Sequence, residues 1–147
     1  MKQAIHAACA GILSERISSL KNQLGELVDG AKNDSKSTAG DKHETARAMM
    51  QIEQEKLTGQ LNVLLTQQQA LSRIDVLQNP EIVVPGSLVK TDNGLMYLSI
   101  PLGRISFNEE IVMCLSAQSP LGMMLVGKHK GDSVEFNGTV YRIEAVS

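Results

Sequence analysis

Gly40-Asp41-Lys42-His43-Glu44-Thr45-Ala46 is the stretch whose reading decides the fold. It sets two carboxylates three residues apart, directly after a polar run and at the start of a helical pattern. Upstream, Ala10, Leu13, Ile17, Leu20, Leu24 and Leu27 alternate spacings of three and four. That is a heptad seam, with Glu15, Arg16, Lys21 and Glu26 largely off it. Gly30 is the expected end of this helix, followed by the polar run 31–40. Downstream the seam resumes with Met50, Leu57, Leu61, Leu64 and Leu71, weakened by Gln54 and Gln68 in two core-type slots. Each arm reaches ~40 Å at helical rise. A lone amphipathic helix of this length is marginal in water, so each arm needs an apolar partner. The polar, Gly- and Ser-containing break favours an antiparallel hairpin over a continuous dimeric rod. Such a rod would carry the acids at its tip, far from the rest of the protein.

Near Asn79-Pro80 the grammar changes from helix to strand. The segments 88–91 and 95–100 flank Asp92-Asn93-Gly94, a good hairpin turn. The run 111–115 reads as a buried strand. Ser119-Pro120 starts a short helix with a capping hydroxyl and a first-turn proline. Leu121, Met124 and Leu125 are its expected inner face, and Gly127 its end. The segments 134–136 and 139–143 form a last hairpin about Asn137-Gly138. The expected fold class is therefore α+β. It joins an N-terminal antiparallel helical-hairpin coiled coil over 1–78, with its tip near 31–44, to a small β-rich domain over 79–147 carrying one short helix.

Composition narrows the function. The chain has 147 residues, 42% of them apolar, enough for a real core. Aromatics are only 3% and Trp is absent, which argues against stacking surfaces for nucleic acid. A net charge of -2 argues against general phosphate binding. Cys9 and Cys114 lie far apart with no ligand-spaced partner, so neither a cysteine zinc site nor a disulfide framework is expected. His6 interrupts the first apolar run, and Ser14, Glu15 and Arg16 follow, so a signal peptide is not expected. No stretch approaches the roughly 20 apolar residues that span a bilayer. A cytoplasmic protein without membrane contact is the expectation.

Ser119-Pro120-Leu121-Gly122, then Leu125-Val126-Gly127-Lys128, then Gly131-Asp132-Ser133-Val134-Glu135 resembles the C-terminal domain of the bacterial Gre transcript-cleavage factors. The ending 139–146 is similar to that family's last strand, and Gly40-Asp41-x-x-Glu44-x-Ala46 resembles its acidic coiled-coil tip. The resemblance implies an FKBP-like globular domain that binds bacterial RNA polymerase, and a coiled coil that enters the polymerase secondary channel. Asp41 and Glu44 would be the catalytic acids. They would help hold a second Mg²⁺ with the polymerase, transiently, against a backtracked RNA 3′ end. Mg²⁺ takes one or two carboxylates beside water and phosphate oxygens, so a factor need deliver only the missing charge. On this reading the chain is a monomer and not itself an enzyme; it stimulates the nuclease of its partner, and holds no metal when isolated. The polymerase contact is placed on Gly122, Met123, Met124 and Lys128.

The sequence also departs from the family. Lys42 stands where a leucine usually follows the aspartate, and Thr45-Ala46 replaces Asn-Ala; the Met49-Met50 region stands for an aromatic. The stretch 102–111 matches poorly. Blander roles compete for each residue. Asp41 and Glu44 also fit a capping-box arrangement, with Asp41 at the N-cap. His43 is more often a solvated residue than a ligand. Lys32, Lys36, Lys42 and Arg47 either steer the tip toward phosphate or form an ordinary solvated surface. Ser119 has no base and reads as a cap, not a nucleophile. Gly122, Gly127 and Gly131 lack the spacing of a phosphate loop. Met113, Met123 and Met124 fit either an adaptable surface or core filling. Prolyl isomerase activity does not follow from the FKBP-like fold, because the half offers few aromatics to line a pocket. Three functions remain: a cleavage factor, a channel-occupying regulator or inhibitor without cleavage, and a stand-alone coiled-coil module.

Overall fold

Two helices of 33 residues each open the chain, α1 (Lys2–Asp34) and α2 (Gly40–Ser72). Six strands and one short helix follow: β1 (Leu88–Thr91), β2 (Gly94–Leu98), β3 (Gly103–Phe107), β4 (Glu110–Leu115), α3 (Pro120–Leu125), β5 (Ser133–Phe136) and β6 (Thr139–Val146). The architecture is α+β. The computed structural model describes residues 1–34 and 40–147, and at 31–34 and 40–43 the backbone alone.

The chain forms two compact units. One is Gly11–Gln68; the other joins Met1–Ala10 to Gln69–Ser147. Within the first, Arg16, Leu20 and Gln23 of α1 line one hollow together with Gln60, Val63 and Leu64 of α2. The middles of the two helices are therefore neighbours. Each helix is ~50 Å long. Residues 35–39 span at most ~18 Å when fully extended. A connection that short cannot return the chain along a whole helix, so the pair is antiparallel.

The inward stripe of α1 is buried at Ile5, Cys9, Leu13, Ile17 and Leu20, and only partly at Leu24 and Leu27. It begins a turn and more before Ala10, which is half-buried. In α2 the stripe is Leu57 and Leu71 with half-buried Met50, Leu61 and Leu64, while Gln54 and Gln68 are exposed. The two glutamines leave the seam because an amide placed there would lose its water partners. Two boundaries differ from the sequence expectation. Gly30 does not end α1, which continues to Asp34. Gly30 is absent from the glycines in the left-handed region, so the conformation that stops a helix at glycine is not used there. Gly40 is already helical, so Asp41 lies inside the first turn of α2 and is not its N-cap.

The sheet has strand order β3-β4-β2-β1-β6-β5. Only β2 and β4 run parallel, with Met96 opposite Met113 and Leu98 opposite Leu115. The β3–β4 hairpin lies outside that pair, so β4 inserts between β2 and β3. The strand β3 has no counterpart in the sequence pattern. Its turn, Asn108-Glu109, has φ of 46° and 65°. Two consecutive left-handed residues make the type I′ turn that matches strand twist, without the glycine that usually advertises it. Asn137-Gly138 makes the β5–β6 turn with the expected residues, at φ of 51° and 79°.

Alternation along the strands divides the core into two layers. Val89, Met96, Leu98, Leu115 and Ile143 pack with Val83, Val134 and Leu125 of α3. Leu88, Tyr97, Val112 and Cys114 alternate with these and are also buried. That second layer meets the first turns of α1: His6 reaches the Tyr97 hydroxyl and Cys9 reaches Cys114. Two inward assignments fail. Ile111, at the outer end of β4, is 61% exposed. Met124 is 38% exposed, and buried Gly122 takes the inner place beside Leu125.

Candidate functional site

The helix-pair unit presents the acidic end of α2. Glu44 is exposed, one turn into the helix. Asp41 lies on helical backbone three residues earlier, a spacing that stacks two positions on one helix face. Its side chain, like those of Lys32, Lys42 and His43, lies outside the described residues, as does Lys36 altogether. Arg47 and Met49 are exposed beside this end, and Met50 is half-buried. The chemistry available is a hard oxygen donor in water at the end of a helix pair, next to one described cation.

The sheet unit carries the other predicted residues. Ser119 caps α3: its Oγ accepts from the Gly122 amide at 3.1 Å and donates to the Ser116 carbonyl at 2.7 Å. This bears out the cap reading. Gly122 is buried because a Cβ there would lie 2.1 Å from the Ser116 oxygen. It supplies close packing and has no surface of its own to offer. Met123 is 63% exposed, and Met124 and Val126 follow it outward. Lys128 is exposed, while its carbonyl accepts from Val83. Ile82, bridged to His129, is exposed as well. The outer side of α3 thus exposes unbranched methionines and a nearby lysine, a composition suited to an adaptable protein contact. Met113 is half-buried against the core and also borders a separate hollow of about 630 Å³, with Met1, Met96, Lys90, Arg104 and Tyr141.

One group of polar and thiol side chains carries no local signal in the sequence. His6 Nδ1 lies 2.7 Å from the Tyr97 hydroxyl, with the rings edge-to-face at 6.1 Å. Burial holds His6 below its ordinary pKa, and burial, aided by the neighbouring thiols, raises that of Tyr97. Both rings are thereby kept neutral. One turn along α1, Cys9 Sγ lies 3.5 Å from Cys114 Sγ, and both cysteines are free. Either thiol can donate across this contact. That bond lowers the Cys9 pKa and, with burial, raises that of Cys114. Lys2 Nζ donates to the Gln78 carbonyl, and burial lowers its pKa against the opposing pull of Asp75. The spacing Ile5, Cys9, Leu13 extends the α1 stripe and would have marked Cys9 as inward. No local signal pairs it with a residue 105 positions away.

No helix among the described residues is long and apolar enough to cross a membrane. Nor do three His, Cys, Asp or Glu side chains converge among them to hold a metal ion. No family model matches the chain, and no curated protein matches it. Among solved structures it is similar to one described as "Structure of the transcription factor Gfh1", at 19% identity over 93% of this chain and 92% of that one, with a TM-score of 0.36. A likeness of that size leaves the function to be argued from this chain's own residues.

Proposed function

We propose that this chain is a transcription elongation factor of the Gre type. In this reading the α1–α2 pair enters the secondary channel of bacterial RNA polymerase, and the sheet unit docks on the polymerase surface. Asp41 and Glu44 would contribute carboxylates to a second Mg²⁺ held jointly with the polymerase, in support of the polymerase's own cleavage of backtracked RNA. The observation that carries it is the exposed Glu44 carboxylate at the connected end of an antiparallel helix pair. The ordered match over 119–146 supports it, since those residues form the capped helix α3 and the β5–β6 hairpin. A carboxylate in water is a suitable hard donor for Mg²⁺, and this ion usually takes only one or two from a protein. When bound, the second ion would stabilise the attacking and leaving oxygens of the phosphodiester. The chain's own part is to place negative oxygens and to hold them on a stiff support. Met123, Met124 and Lys128 form the proposed polymerase contact on the sheet unit.

A second reading rests on the tip sequence. Lys42 and Thr45 replace the family's usual leucine and asparagine. A channel-occupying regulator that does not stimulate cleavage has the same helices and the same docking surface.

Purified polymerase stalled in a backtracked complex separates these readings. The chain is expected to release short RNA 3′ fragments. Asp41→Asn and Glu44→Gln should lower the release rate about 10–100-fold while leaving polymerase binding intact. Binding with slowed elongation and no fragments would establish the regulator instead. Failure to bind polymerase would remove both.

A further inference from the structure

We propose that Cys9 and Cys114 form a peroxide-sensitive dithiol that closes to a reversible disulfide, tying the first turns of α1 to strand β4. The two sulfurs are 3.5 Å apart. A disulfide needs ~2.05 Å, so closure brings the two sulfurs together by about 1.5 Å. Both cysteines belong to the same compact unit, Met1–Ala10 with Gln69–Ser147. Their positions are set by independent elements, one by a helix face and one by a central strand paired on both sides. The fold therefore delivers two thiols, 105 positions apart in sequence, to one point. Nothing in the transcription reading uses them.

The chemistry assigns unequal roles. Cys9 is carried on the α1 turns that must open to admit an oxidant, so its thiolate is the nucleophile. Cys9 sulfur attacks one oxygen of hydrogen peroxide. An S–O bond forms, the O–O bond breaks, and the departing hydroxide takes up the proton that Cys9 has lost. Cys114 sulfur then attacks the Cys9 sulfenic acid. The S–S bond forms, the S–O bond breaks, and hydroxide leaves with the Cys114 proton. Two thiols lose two electrons and two protons, and one peroxide becomes two waters. A reducing dithiol reverses the change by exchange. Cys9 is 0% and Cys114 1% exposed, so the oxidant enters through local opening of the first α1 turns. Oxidation is consequently slow, and reduction of the product is slow for the same reason.

The test uses the wild-type chain, so its outcome does not hang on how a variant folds. The native protein is incubated with hydrogen peroxide, unfolded in an alkylating agent, and weighed intact. The expected product has lost two hydrogens, carries no alkyl group, and yields one crosslinked Cys9–Cys114 peptide without reductant. A closed loop of this size restricts the unfolded chain, so the tyrosine-fluorescence melting transition should rise by on the order of 10 °C. Dithiothreitol should return the mass and the transition. Cys9→Ser and Cys114→Ser should each abolish the two-hydrogen loss. Retention of two alkylatable thiols after prolonged exposure would overturn the proposal. So would sulfinic acid at Cys9 beside a free Cys114, or a crosslink between chains only.

Discussion

The same substitution, glycine to alanine, should have opposite effects at two kinds of position in this protein. At Gly122 an added Cβ would lie 2.1 Å from the Ser116 carbonyl oxygen, 2.9 Å from Ser119 Oγ and 3.0 Å from the Ala117 Cα. Ordinary contact begins at 3.4 Å, so the carbonyl would have to retreat by more than about 1 Å. That carbonyl accepts from the Ser119 amide at 3.0 Å and the Ser119 hydroxyl at 2.7 Å. Its retreat therefore dismantles the cap of α3. Loss of a cap costs about 1 kcal/mol and overpacking ~1–3 kcal/mol. The better helix propensity of alanine returns about 1 kcal/mol. Gly122→Ala should thus destabilise by roughly 2 kcal/mol, lowering the transition about 4–8 °C. Gly25 and Gly59 lie inside α1 and α2, where a Cβ would meet nothing within 4 Å. Alanine there should stabilise by about 0.5–1 kcal/mol at each site. The units can be followed separately: the only tyrosines, Tyr97 and Tyr141, lie in the sheet unit, whereas Gly25 and Gly59 lie in the helix-pair unit. Tyrosine fluorescence reads the first, and circular dichroism at helical wavelengths is weighted to the second. A Gly122→Ala transition within about one degree of wild type, against the 4–8 °C expected, would refute the steric reasoning. So would a shift in the same direction as the helix glycines.

Two further outcomes test the second core layer and its edge. Burial depresses the His6 pKa below its unfolded value of 6.5, so the unfolded chain binds more protons near and below that pH. This stability is present above the unfolded pKa and is lost as pH falls through the folded one; melting temperature should drop on acidification from neutrality, and His6→Gln should flatten the profile. Ser99 Oγ is buried with no hydrogen-bond partner among the described residues, so Ser99→Ala should leave stability unchanged or raise it by up to ~1 kcal/mol in urea unfolding.

What the sequence made legible was local. The Ser119-Pro120 cap, the Asn137-Gly138 turn and the Asp92-Asn93 hairpin are each written in a few adjacent residues, and each stands where those residues place it. Helix ends were read less well, because Gly30 is compatible with a stop but does not enforce one. The β3–β4 hairpin was invisible because Asn108 and Glu109 adopt left-handed backbone without a glycine. Helical periodicity points Met124 inward. In so short a helix the close approach at Gly122 fixes the rotation instead, and Met124 turns outward. Of the proposed acidic site, the spacing of Asp41 and Glu44 and the helix beneath them were legible from pattern.

The hidden layer follows from packing over long sequence distance. Its source is the stripe of α1, whose spacings are four, four, four and three from Ile5 to Leu20. A strict coiled-coil seam would alternate three and four. Repeated fours drift around the helix, so the face at Ile5 and Cys9 is turned relative to the face at Ile17 and Leu20. The boundary between the two compact units falls within that same helix, between Ala10 and Gly11. At the sheet, the contact is made by small residues on both sides. A cysteine occupies little more space than an alanine, and Cys9 against Cys114 lets helix and strand approach closely. A leucine at either position would add volume that this layer cannot absorb without displacing Tyr97, which is fully buried and bonded to His6. The close approach of the two thiols is thus a direct consequence of how tightly the first turns of α1 pack on the sheet.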